Sequence, residues 1–143
     1  YYLNPEATRA VLTEDGWLHT GDIGILDEDN ILFLSGRCKN MILSTNGQNI
    51  FPEEIEVVLN GLPYVAESLV LMRDNLLTAV IVPNGDAVAN AGIDADSLRA
   101  IMEQNIRTLN ERIPKYSSVA AFELRFEPFA KTPKGSIKRF MYS

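Results

Sequence analysis

Residues 36–56, GRCKNMILSTNGQNIFPEEIE, decide the fold. Residues 31–35, which are apolar except for Ser35, predict a strand that ends at Gly36. Arg37 and Lys39 follow this strand, and residues 41–44 predict a second one. Asn46 and Gly47 both tolerate a positive φ, so this pair predicts a tight turn. Pro52 suits the first turn of a helix, where its missing N–H leaves no bond unmade, and the acids after it favour the helix's positive end. The stretch therefore predicts, in order, the end of a strand, a basic segment after it, a hairpin and the start of a helix.

Apolar runs and breakers predict the other elements. Residues 23–26 and 31–34 are apolar runs joined by four polar residues, which indicates a β-hairpin. Residues 68–72 and 77–82 are almost continuously apolar, which predicts strands of a sheet covered on both faces. Helical and alternating spacings complete the pattern, with helices at 53–60 and 98–113, a strand at 122–126, a connection at 84–95 and a loop from residue 128.

The order of these elements predicts an α+β fold. We expect a small domain with a short β-hairpin, a central, mainly antiparallel three-stranded sheet and two or three packed helices. Residues 1–38 form a separate piece that carries its own β-hairpin. This piece has too little apolar surface to stand alone.

Composition restricts the classes of function. The chain has 143 residues, about one domain, with 46% hydrophobic and 22% charged residues, as in a soluble globular protein. A net charge of −6 argues against a nucleic-acid partner, and no apolar run approaches the roughly 20 residues of a transmembrane segment. The single Cys38 weakly indicates a reducing compartment. The only histidine, His19, has no partner at ligand spacing, so we expect no metal ligands.

Three motifs together resemble the AMP-forming adenylating enzymes, the superfamily of acyl-CoA synthetases, luciferases and peptide-synthetase adenylation domains. Residues 16–22, GWLHTGD, resemble the family's ribose-binding motif, and residues 36–56 resemble its hinge. Residues 131–139, KTPKGSIKR, resemble its C-terminal catalytic-lysine loop. The resemblance implies that residues 1–38 end a large N-terminal adenylate-forming domain. It also implies that residues 39–143 are the mobile C-terminal domain.

The ribose-binding motif implies contacts to the nucleotide. Asp22 matches the aspartate whose carboxylate accepts hydrogen bonds from the two ribose hydroxyls, although on the sequence alone a turn-capping aspartate is the better reading. Arg37 matches an arginine that also reaches the nucleotide. Thr20 is expected to shape the approach of the backbone to the same ligand.

The hinge motif implies a moving boundary. Lys39 stands where the family has its hinge residue, whose torsions change between two domain orientations. The loop that contains Gly47 and Gln48 resembles the loop that swings toward the pantetheine channel, so these residues are expected to face CoA. An ordinary hairpin turn is compatible with that role.

The tail departs from the family pattern at its catalytic position. The family's lysine directly follows a glycine, and here that place, between Gly135 and Ile137, is Ser136. A serine cannot neutralise the substrate carboxylate and the α-phosphate. Lys134 and Lys138 each lie two positions away, and we hypothesise that one of them substitutes. Lys138 is favoured because it shares the side of Ser136 in an extended loop.

The resemblance implies the C-terminal part of an ATP-dependent long-chain fatty acid–CoA ligase. The parent would convert fatty acid, ATP and CoA into acyl-CoA, AMP and pyrophosphate through an acyl-adenylate. The ligands are thus ATP or AMP and CoA, with Mg²⁺ bound by a large N-terminal domain that is absent here. That domain is the expected partner, and the isolated chain is expected to be inactive.

Other interpretations stay open at this point. The chain could be the C-terminal domain of another adenylating enzyme, such as an aryl or short-chain CoA ligase or a peptide-synthetase adenylation domain. It could also be a stand-alone binding or interaction module whose catalysis was lost with Ser136. We expect a cytoplasmic location, and a peripheral position of the parent at the inner membrane surface is an alternative.

Overall fold

The protein is described by a computed structural model that covers residues 1–44 and 46–143. The chain divides into two compact units, Tyr1–Met41 and Ile42–Ser143. Among the described helices, none combines the length and the apolar character needed to cross a bilayer.

The first unit is built around the predicted β-hairpin. Strand β1 (Asp22–Leu26) pairs antiparallel with β2 (Leu32–Arg37), after a short helix α1 (Pro5–Arg9). In the turn, one carboxylate oxygen of Asp27 accepts hydrogen bonds from two backbone N–H groups. Strand β2 runs further than the predicted end at residue 35, because Arg37 still pairs with Asp22 across the ladder. Most apolar side chains of this hairpin are exposed to solvent.

Among its described residues, the second unit contains a small hairpin, a three-stranded sheet and three α-helices. An 18-residue helix crosses over between the last two strands of the sheet. In chain order the elements are β3 (Ile42–Leu43), β4 (Asn49–Ile50), α2 (Pro52–Asn60), β5 (Val65–Arg73), β6 (Leu76–Pro83), α3 (Gly85–Asn90), α4 (Ala95–Arg112) and β7 (Ala121–Leu124).

The sheet has the order β5-β6-β7, with β6 in the centre. β5 and β6 are antiparallel and share a tight connection, whereas β7 runs parallel to β6. A parallel pair needs a long crossover, and α4 provides it. Helices α2 and α4 cover one face of the sheet, where Leu59, Met102 and Leu109 are completely buried.

The opposite face of the sheet is covered by the C-terminal tail. Phe129 is only 3% exposed and packs with Leu69, Leu71 and other residues of β5 and β6. Its ring meets that of Tyr142 edge to face, with centroids 5.1 Å apart, and the Tyr142 hydroxyl accepts from the N–H of Ala130 at 2.7 Å. The two-sided cover predicted from the apolar strands is therefore confirmed.

These features confirm the predicted α+β fold class, with two further local differences in the second unit. The segment 84–95, predicted as a connection, contains helix α3, whose start Asn84 caps by accepting from the N–H of Ala87 at 3.1 Å. Its many alanines favour a helix, whereas its glycines and asparagines are typical of a loop and led to the prediction of a connection. The tail from Pro128, predicted as a loop, forms a structural layer, because the uncovered face of the sheet needs apolar cover.

An ion pair anchors this tail to helix α2. Arg139 donates through Nη2 to Oε2 of Glu56 and through Nη1 to the carbonyl oxygen of Val70, at 3.3 Å. The other carboxylate oxygen of Glu56 accepts from the N–H of Val70 at 2.7 Å. Helix α2, strand β5 and the tail thus meet at one closed set of hydrogen bonds.

Burial changes the acidity of Glu56, which is only 8% exposed to solvent. Desolvation raises the pKa of Glu56 from its ordinary value near 4.5 to about 7, against the opposing effects of Arg139 and the Val70 N–H. The folded protein therefore holds a proton that the unfolded chain releases at lower pH. The resulting contribution to stability is fully present below pH 4.5 and is lost as the pH rises through 7.

We expect Glu56→Gln to remove this pH dependence, because glutamine keeps the shape and an acceptor oxygen but does not titrate. The difference in free energy of unfolding between the wild-type chain and the variant should change by on the order of 3 kcal/mol between pH 4.5 and 7, with the wild type losing stability. Urea unfolding at several pH values measures it. Glu123→Gln, which breaks an exposed ion pair with Arg73, is the control. A difference that stays constant with pH would contradict the assignment.

Candidate functional site

The hairpin of the first unit brings three of the predicted nucleotide contacts together. Nε of Arg37 lies 2.9 Å from Oδ1 of Asp22, and Nη1 of Arg37 donates to the carbonyl oxygen of Thr20 at 3.3 Å. The hydroxyl of Thr20 accepts from the N–H of Asp22 at 3.2 Å. The register explains this grouping, since Asp22 begins β1 and Arg37 ends β2 directly opposite.

This cluster has the donors and acceptors that a sugar diol requires. The Asp22 side chain is 35% exposed and the Arg37 side chain 62%, so both are accessible in the described chain. Arg37 lies against Oδ1 of Asp22, and Oδ2 can accept from a hydroxyl. The arginine has further N–H groups for an anionic or carbonyl oxygen.

Lys39 lies in a 3₁₀ turn, Cys38–Asn40, at the end of the first unit. Its side chain is exposed, and extended residues precede and follow the turn, with ψ near 133° at Arg37 and 131° at Met41. The division between the two units follows Met41, two residues beyond Lys39.

The predicted CoA-facing residues lie in the turn between β3 and β4. Gly47 has a φ of +76°, the left-handed conformation expected for this glycine, and its N–H donates to the carbonyl of Ser44 at 2.9 Å. The N–H of Ser44 donates in turn to the carbonyl of Gln48 at 2.9 Å. Gly47 and Gln48 are both exposed. Thr45, which belongs to the same loop, lies outside the described residues.

The predicted catalytic loop is a narrow hairpin. Lys131 and Ile137 form an antiparallel bridge, and the N–H of Lys138 donates to the carbonyl of Ala130 at 2.8 Å. At its tip, the Thr132 N–H donates to the Ser136 carbonyl at 2.8 Å. The chain reverses there through Gly135, whose φ of +84° would strain any other residue type.

The hairpin separates the side chains of the loop by direction. Ile137 packs against the buried cluster of the outer sheet face, whereas Ser136 is exposed. The expectation that alternation along an extended segment puts Lys138 on the side of Ser136 stays a prediction. Lys138 is half-buried, and Lys134 is exposed in the turn.

Two of the four cations in this loop are already engaged. Lys131 donates to Glu67, and Arg139 donates to Glu56. Within residues 1–44 and 46–143, neither Lys134 nor Lys138 has a carboxylate within ion-pair distance. These two ammonium groups are therefore available to an anionic ligand. In the same described residues, no three histidine, cysteine or acidic side chains are grouped to hold a metal ion.

Sequence reasoning missed Glu56 as part of this loop's support. The sequence pattern indicates Glu56 only as one of three acids at the positive end of α2. A signal was present, because Glu56 lies four residues after Pro52 and three before Leu59, both fully buried. Helical spacing puts all three on the inward side of α2. A glutamate on such a face needs a buried partner, and the sequence does not tell which cation arrives there.

Comparison with known proteins identifies the family. Residues 39–142 match the family described as the AMP-binding enzyme C-terminal domain. A 2-succinylbenzoate–CoA ligase of Listeria innocua is 36% identical over 96% of this chain, which corresponds to 27% of that protein. A long-chain-fatty-acid–CoA ligase of Mycobacterium tuberculosis is 45% identical over 50% of this chain and 14% of that protein.

Solved structures show the same fold. The adenylation domain of a carboxylate reductase from Mycobacterium chelonae superimposes with a TM-score of 0.87 over 99% of this chain and 23% of that one, at 23% identity. The chain spans about a quarter of the length of the first curated relatives that it matches. The match over residues 39–142 places the chain in the AMP-binding enzyme family, of which it carries the C-terminal domain.

Proposed function

We propose that this chain is the C-terminal part of an AMP-forming acid–thiol ligase. In this proposal residues 1–38 end a large N-terminal domain, and residues 39–143 form a domain that rotates about Lys39. The observation that carries the proposal is the C-terminal hairpin, which presents two available lysines in a chain of the AMP-binding family. Its partners would be its own large domain, ATP, CoA and a carboxylic acid.

The exposed apolar surface of the first unit supports the existence of a larger partner domain. The hairpin strands carry exposed Ile25, Phe33 and Leu34, each more than half accessible to solvent. Ile25 and Phe33 are register partners on one face of the hairpin, and Leu34 points to the other face, so apolar side chains are exposed on both sides. Exposed apolar surface of this extent normally lies against other protein. The large N-terminal domain, which would hold Mg²⁺ and the ATP phosphates, is the occupant that the proposal assigns to it.

The Asp22 cluster supports a nucleotide role for the first unit. A carboxylate with an accessible oxygen, an arginine and a threonine hydroxyl can together bind the ribose of ATP or AMP. The cluster orients the nucleotide and provides no group for the chemical step. Gly47 and Gln48, exposed in their turn, would face CoA after the rotation.

The chemistry needs positive charge near the acid. A carboxylate oxygen of the acid attacks the α-phosphorus of ATP, the bond to the bridging oxygen breaks, and pyrophosphate leaves. The CoA thiol then loses its proton and attacks the carbonyl carbon, and AMP leaves. The first step brings two anions together, so an ammonium group beside them lowers the barrier. Lys138 would supply it in place of Ser136, and Lys134 is the second candidate.

For the substrate, we propose a long-chain fatty acid. The mycobacterial relative supports this choice, and the likeness to a 2-succinylbenzoate–CoA ligase supports the aryl alternative. The second candidate function is a binding module without catalysis, which the serine at position 136 favours. The two classes differ in whether adenylate forms at all.

ATP–pyrophosphate exchange across a panel of acids tests the proposal. We expect the polypeptide encoded by the whole gene to exchange with long-chain fatty acids, and the 143-residue chain alone to be inactive. Pyrophosphate exchange in the presence of aryl acids only would contradict a long-chain fatty acid substrate. The absence of exchange with every acid would favour the binding module. Activity of the 143-residue chain alone would overturn its interpretation as an incomplete enzyme.

Lys138→Ala should slow acyl-adenylate formation by about 10²- to 10³-fold, because a charge that stabilises the transition state is lost. Lys134→Ala should have a much smaller effect. Adding Ser136→Lys to the Lys138→Ala variant should restore much of the rate, since a lysine then occupies the family's usual position. Rapid-quench measurements of adenylate on the complete polypeptide provide the rates. If neither single variant is slower than the wild type, a neighbouring lysine does not substitute.

A further inference from the structure

We propose that Arg139 and Glu56 form a positioning pair that sets the direction in which the C-terminal hairpin presents Lys138 to the reacting acid. The inference rests on the proposed function and extends it to residues that touch no substrate. Arg139 directly follows Lys138 in the chain. Any constraint on the backbone and side chain of Arg139 therefore acts on the residue next to it.

The hydrogen bonds of Arg139 and Glu56 fix the orientation of the Arg139 side chain. The planar guanidinium of Arg139 reaches Glu56 with one nitrogen and the carbonyl of Val70 with another, so both its position and its plane are defined. Glu56 is itself held by the N–H of Val70 at 2.7 Å. The Arg139 side chain is only 16% exposed, which leaves little room for a second orientation.

Stability alone does not require this pair. The tail is already anchored by buried Phe129, by the contact of Phe129 with Tyr142, and by the bond from Lys131 to Glu67. Taking two charges out of water is costly, and apolar residues in the same place often give equal or greater stability. A hydrogen-bonded ion pair fixes the orientation of the Arg139 guanidinium, and Arg139 directly follows Lys138 in the chain.

The charge on Glu56 is sensitive to its surroundings. The groups that face it are Arg139 from the tail, Glu53 from its own helix and the Val70 N–H from β5. Nε of Arg139 also lies 3.8 Å from Oε1 of Glu53. Burial raises the pKa of Glu56 to about 7, so protonation near neutral pH removes the charge that orients Arg139. An ionised Glu56 therefore corresponds to the positioned state of the loop.

The test uses adenylate formation by the complete polypeptide as a function of pH. In the wild type, kcat should fall as the pH decreases through about 7. Glu56→Gln should lower kcat above pH 7 by about 10- to 100-fold, because small misplacements of a reacting group cost that much. The variant should also lose the dependence on pH in this range. The KM values for ATP and acid should change little.

Two further variants separate positioning from charge and from general destabilisation. Arg139→Lys keeps the positive charge without the planar fork, so it should not preserve the wild-type kcat. Glu123→Gln, which breaks the Arg73–Glu123 pair on the same sheet, should leave kcat and its pH profile unchanged. Wild-type kcat and pH profile in Glu56→Gln, or full activity in Arg139→Lys, would overturn the proposal.

Amide hydrogen exchange in the 143-residue chain distinguishes failure of this inference from failure of the proposed function. Glu56→Gln should accelerate exchange at the N–H groups of Thr132 and Lys138, which are bonded within the hairpin. Glu123→Gln should not. A complete polypeptide that forms no adenylate would overturn the proposed function, and faster exchange would still support the holding role of the pair. Unchanged exchange would overturn that role as well.

Discussion

The burial of strand β6 on both faces is the constraint on which the second unit depends. Leu77 to Pro83 are all buried, so each side of the strand must be covered by apolar groups. Helices α2 and α4 supply the cover on one side. Val88 of helix α3 packs on that same side, and the last sixteen residues, beginning at Pro128, cover the other side through Phe129, Ile137 and Tyr142. The tail is thus part of the fold.

The same C-terminal tail that covers the sheet also carries the lysines proposed to act in the reaction. The hairpin of residues 131–138 begins two residues after buried Phe129, and its tip reaches solvent at Gly135 and Ser136. Lys131 and Arg139 are used to fasten its two ends, and Lys134 and Lys138 remain available. The positions of the available lysines follow from how the tail packs, which explains how a neighbouring residue could serve where the family's lysine is replaced.

Local patterns made much of the fold predictable. Hairpin β1–β2, helix α2 and the buried strands follow from apolar periodicity and turn residues, and the pairing of Asp22 with Arg37 follows from the hairpin register. Non-local contacts were not predictable. Glu56 meets Arg139 across 83 residues of sequence, and the tail packs on strands more than 40 residues earlier. The roles of Lys138, Lys39 and Gln48 come from the resemblance alone and stay predictions.

Urea unfolding of Phe129→Ala in the 143-residue chain tests most directly whether the tail is a folded layer. The account predicts a loss of about 3–5 kcal/mol in the free energy of unfolding, because a buried aromatic ring is removed. Phe126→Ala, at a phenylalanine that is 75% exposed three residues earlier, should change it by no more than about 0.5 kcal/mol. An equally small effect of both variants would show that the tail is a loose loop and would contradict the account.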